Sequence, residues 1–109
     1  MLEELYKVLR KEIQILMNKD LKRKKEAYNL CSDFYKWILE TGRTSATVSS
    51  YQEKRELLHQ ADKDKYPSLT NREAFIIRST INSGAFNKLK MNGYIRKLNG
   101  KIETVYSLV

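Results

Sequence analysis

Thirteen carboxylates are spread over the 109 residues, yet none falls between Ala74 and Ile102. Other absences narrow the possibilities further. A single cysteine, Cys31, excludes an internal disulfide, and nothing argues for an oxidising compartment. With one histidine beside it, His59, the chain has too few ligands for a Cys/His zinc site. One proline and four glycines argue against long linkers and for a mostly helical chain. No apolar run approaches the ~20 residues that cross a bilayer. The opening Glu3 and Glu4 do not fit the basic start of a signal peptide, so the expected setting is cytoplasmic.

What is present is positive charge, and it is uneven. The net charge is +8. Residues 1–60 carry an excess of three bases and residues 61–109 an excess of five. The acid-free window holds Arg78, Lys88, Lys90, Arg96, Lys97 and Lys101. Concentrated charge of one sign points to a polyanion partner. A second basic run, Lys22, Arg23, Lys24 and Lys25, reads either as another phosphate-contacting patch or as a solvated helix surface.

The length suggests one domain. Leu2, Leu5, Leu9, Ile13 and Leu16 recur at helical spacing and predict a helix over residues 2–17. Asn18, Lys19 and Asp20 break the stripe, and Asp20 suits the N-cap of a second helix over 21–41. Ala27, Leu30, Cys31, Phe34, Trp37 and Ile38 form its apolar face, and Gly42 is a stop. The expected form of residues 1–41 is therefore a helical hairpin; one continuous helix is the alternative. Its first stripe is a candidate face for a second copy or a partner protein, against the plainer reading that it packs on the 21–41 helix.

A weaker pattern predicts a linking helix over 45–61, followed by a polar connection over 61–68. Thr70 and Glu73 form a capping-box signature for a short helix over 70–78, with Ala74, Phe75, Ile76 and Ile77 inward. A turn at 79–83 leads to a helix over 83–92, with Ala85, Phe86 and Leu89 inward and Gly93 as terminator. "LNGK" at 98–101 then predicts a hairpin with a two-residue type I′ turn, pairing Arg96 with Glu103 and Lys97 with Ile102.

Residues 70–109 resemble the winged-helix branch of the helix-turn-helix superfamily. Phe86 and Leu89, "NGYI" at 92–95 and "LNGK" as the wing turn carry the resemblance. The fold class expected is mostly α with a C-terminal β-hairpin, a winged-helix-like unit preceded by the helical hairpin. The resemblance implies a small DNA-binding regulator of transcription. Helix 83–92 would enter the major groove and hairpin 94–106 would act as the wing. The candidate DNA-binding residues are Arg78, Asn82, Ser83, Asn87, Lys88, Lys90, Arg96, Lys97, Asn99 and Lys101. Asn pairs with adenine, Lys reaches guanine or phosphate, and an acid-free surface avoids repelling the backbone.

Two rival readings are a module that binds or inhibits a nucleic-acid-processing enzyme, and RNA binding through exposed tyrosines such as Tyr51 and Tyr94. Catalysis is not expected. His59 has no neighbouring nucleophile, and Asp62 and Asp64 alternate with Lys63 and Lys65 as in a solvated loop. No cofactor, metal or membrane partner is expected.

Overall fold

The computed structural model describes residues 2–109. The order of elements is α1 (Leu2–Glu40), β1 (Ser45–Ala46), α2 (Val48–Ala61), α3 (Asn71–Asn82), β2 (Leu89–Arg96) and β3 (Ile102–Leu108). The strands form one antiparallel sheet in the order β1-β3-β2.

The expected N-terminal hairpin is replaced by one 39-residue helix. No glycine or proline lies between residues 2 and 40, so nothing forces a break. The polar residues at 18–20 are accommodated on the helix surface. Gln14 donates to Asn18, and Lys24 pairs with Asp20 one turn away at 3.1 Å. Asp20 is therefore not a cap. The helix ends at Gly42, whose φ of +68° allows a closing turn. Gly42 N donates to Leu39 O and Arg43 N to Ile38 O, the paired bonds of a Schellman motif.

Only the second half of α1 is covered. Its Cys31, Phe34 and Ile38 pack with Ala46, Val48, Tyr51, Leu69, Ala74, Ile77, Ile81, Phe86, Leu89 and Tyr106 in one core. The Phe34 ring lies 5.2 Å from Tyr51, 6.2 Å from Trp37 and 6.3 Å from Tyr106, centroid to centroid. The first half projects away from this core, and the molecule measures 64 × 34 × 27 Å. Its radius of gyration is 18.5 Å, against about 13 Å for a compact chain of this length. The stripe at Leu2, Leu5, Leu9, Ile13 and Leu16 thus packs on no other element among the described residues, and all five residues are exposed.

Thr47 caps α2 by accepting from Ser50 N, so this helix starts three residues later than expected. The capping box at α3 is formed as read: Thr70 Oγ1 accepts from Glu73 N and Glu73 Oε1 from Thr70 N, both at 3.1 Å. The helix then continues past 78. The hydroxyls of Ser79 and Thr80 bond back to Phe75 O and Ile76 O, as these residues do within a helix, and so do not form the expected turn. A second Schellman motif ends α3, with Gly84 N on Ile81 O, Ala85 N on Thr80 O, and Gly84 at φ +81°.

The expected helix over 83–92 is therefore absent. Gly84 closes the preceding helix instead of opening another, and β2 begins at Leu89. Phe86 and Leu89 are buried as expected, but from a loop and a strand. Gly93 sits at a bulge in β2, where the register shifts between Met91 and Tyr94.

The hairpin tip also differs in register. Arg96 pairs with Ile102 and Ile95 with Glu103. Gly100 alone has positive φ, whereas a type I′ turn would require it at Asn99 as well. The turn is a three-residue loop in which Gly100 N donates to Lys97 O and Lys97 N to Lys101 O.

Candidate nucleic-acid interface

The exposed helix nearest the acid-free window is α3. Ala74, Ile77 and Ile81 point into the core, which leaves Asn71, Arg72, Phe75, Ser79 and Asn82 exposed. Phe75 is 67% exposed, contrary to its expected burial; Ile81 takes the inward place further along the helix. The only carboxylate on α3, Glu73, is bound to its own cap.

Several of the residues expected to meet DNA are engaged internally. Arg78 is half-buried, and its Nη2 donates to Ser49 Oγ at 3.1 Å. Asn82 Oδ1 accepts from the Tyr106 hydroxyl at 2.9 Å, and Ser83 Oγ donates to Thr80 O. Asn99 Oδ1 accepts from Lys101 N within the turn. Lys97 forms an ion pair with Glu103 at 3.0 Å, in place of the expected Arg96 pair. Burial would raise the Glu103 pKa; the Ser49 hydroxyl, Lys97 and the Arg78 charge outweigh it and hold the carboxyl below its ordinary value. Arg78 and Lys97 thus tie α3, α2 and the hairpin together.

Asn87, Lys88, Lys90, Arg96 and Lys101 are exposed, and the four cations have no carboxylate partner among the described residues. Lys88 Nζ lies 5.5 Å from the centre of the Tyr35 ring, which holds it near the α1 side.

The second basic run stands beside α3. Four consecutive helical residues point in four directions, so the run is not one patch. Its members divide around the crossing of α1 and α3. Arg23 borders a groove with Glu26, Ala27, Arg72, Phe75 and Ile76. Lys24 and Lys25 border a larger groove of about 640 Å³ with Tyr28, Ser79, Ser83 and Phe86. Sequence separation concealed this juxtaposition. It also concealed Arg72, whose guanidinium meets both Glu26 oxygens at 2.8 and 3.3 Å. Hydrogen bonding to Arg72 lowers the Glu26 pKa and raises that of Arg72.

The remaining reactive groups are committed elsewhere. Cys31 is fully buried, and burial pushes its thiol up to about 11. His59 Nδ1 lies 2.8 Å from Tyr66 O, and Asp62 Oδ1 accepts from Lys65 N; both groups order the 62–70 connection. No group of three metal-ligating side chains occurs among the described residues, and no helix there is long and apolar enough to cross a membrane. No protein-family model, curated protein or solved structure matches the chain.

Proposed function

We propose that the chain is a winged-helix reader of duplex DNA, with α3 as the docking helix and the β2–β3 hairpin as the wing. One observation carries the reading. The outward row of α3 has no free carboxylate, and cations of α1 border it: Arg23 in the groove with Arg72 and Phe75, and Lys24 and Lys25 in the groove with Ser79 and Ser83, while Lys88 lies over Tyr35 of the same helix. Gln52 Nε2 donates to Asn71 Oδ1 and the Ser79 hydroxyl donates to Phe75 O, which leaves the Asn71 amide NH2 to donate and the Ser79 oxygen to accept at base edges, and Phe75 can meet a thymine methyl. Arg72 is held by Glu26 at the surface, where solvent screens the pair, so exchanging Glu26 for a phosphate costs little. Arg96 and Lys101 at the hairpin tip reach the backbone. Helix 83–92 has no part in this, and α3 takes its place.

Binding of random duplex DNA, followed by fluorescence anisotropy across a salt series, tests the proposal. With about six phosphates neutralised, log K against log salt falls with a slope near −5. Changing Lys88 and Lys90 to Ala reduces the steepness by about 2, at roughly 0.9 for each phosphate left without its cation. Ser79→Glu puts a carboxylate in the middle of the docking row and lowers affinity at least tenfold. A flat salt dependence rejects the electrostatic premise, and a silent Ser79→Glu rejects α3 as the docking helix.

A further inference from the structure

The apolar row of α1 does not end where the core ends. At 100° per residue, Ala27, Cys31, Phe34 and Ile38 share one face of the helix. Leu2, Leu5, Tyr6, Leu9, Ile13 and Leu16 continue the same face beyond the domain. There they are 50% to 86% exposed. Asp20, Arg23 and Lys24 are the polar interruption between the two halves. One helix therefore presents a single seam, of which the domain covers only the inner part.

We infer that the outer part is covered by the same segment of a second copy, running antiparallel. Charge decides between the two directions. Side by side in parallel, the pair would set Asp20 against Asp20 at the centre of the seam and Arg23 against Lys24 along its flanks, a stack of like charges. In antiparallel order the two Asp20 side chains are separated to opposite ends of the overlap, and the acidic start of one copy, Glu3, comes level with Lys19 of the other. Centred on Lys11, this arrangement puts Leu9 beside Ile13 and Tyr6 beside Leu16 of the second copy, with Glu3 level with Lys19.

The overlap then covers residues 2–20, about 29 Å of helix, and stops short of Lys22 and α3. The grooves at α3 stay open, so the pairing is independent of the DNA proposal and compatible with it. Six seam side chains bury roughly 500 Å² of apolar surface per copy. The stems of flanking lysines and arginines extend this toward the ~800 Å² per partner of a stable interface.

Sedimentation equilibrium of the full chain over a concentration series is the test. The expected species is a dimer of the 12.9 kDa chain. Leu9→Asp with Ile13→Asp raises its dissociation constant roughly 100-fold or more. The thermal unfolding of this variant, read from aromatic near-ultraviolet circular dichroism, keeps its core transition, because neither position touches the core. Direction is read by cross-linking. A mixture of Leu9→Cys chains with Ile13→Cys chains forms disulfide-linked dimers, whereas either alone does so poorly; buried Cys31 stays silent. A monomer at every concentration overturns the inference, as does a trimer. Efficient cross-linking of Leu9→Cys chains alone overturns the antiparallel order. A chain that stays monomeric but binds vesicles rich in anionic lipid assigns the stripe to a membrane surface and equally overturns it.

Discussion

Glu103 is the one carboxylate drawn into the join between hairpin and helices, and it makes stability pH-dependent in a predictable direction. Its folded pKa lies below the ordinary 4.5. The native state therefore binds that proton less readily than the unfolded chain. The resulting stabilisation is fully present above pH 4.5 and is lost as pH falls through the lower folded value. Urea unfolding at a series of pH values should show this decline, and Glu103→Gln should flatten it. An unchanged profile in the variant would remove Glu103 from the account. The residue also shows where sequence reading stops. Arg96 is its expected partner because a two-residue turn sets that register. The actual turn shifts it by one, and a shift of one residue moves each side chain to the other face. Lys97, Arg78 and Ser49 meet Glu103 only because two helices and a hairpin converge, and no local spacing encodes that.

At the scale of elements, two glycines perform the same task. Gly42 ends α1 and Gly84 ends α3, each at positive φ with the same pair of closing hydrogen bonds. An added Cβ at Gly84 meets nothing within 4 Å, so the cost of substitution is conformational alone. Gly84→Ala should lower stability by about 1 kcal/mol in chemical denaturation, from the left-handed strain. No loss would mean that the turn relaxes freely. The capping box at Thr70 was legible because its signal is two side chains three residues apart. The end of α3 was not, because Ser79, Thr80 and Ser83 have turn chemistry by composition and turn inward to helical carbonyls in the structure. The continuity of α1 was obscured in a similar way. Asp20 resembles a cap until Lys24 pairs with it across one turn. Of the candidate site, the cations of the window and the inward Phe86 and Leu89 could be read directly. Arg72, Phe75 and the approach of Arg23, Lys24 and Lys25 depend on how α1 crosses α3.

For the whole molecule, the division of α1 into a packed half and a free half has a direct consequence for truncation. Removing residues 2–20 deletes none of the core side chains. The shortened chain should therefore unfold cooperatively, with a core transition within a few degrees of that of the dilute full chain. Scanning calorimetry reads this, and a chain that no longer folds would show that the free half supports the core after all. The same architecture predicts an uneven response to load. In the single chain, the outer turns of α1 are held by contacts within the helix itself, while β3 carries ladders on both edges, to β1 and to β2. Pulled between Leu2 and Leu108, the molecule would unwind the outer coil first, under slight tension. It would then stiffen abruptly when the central strand has to be sheared from two neighbours at once.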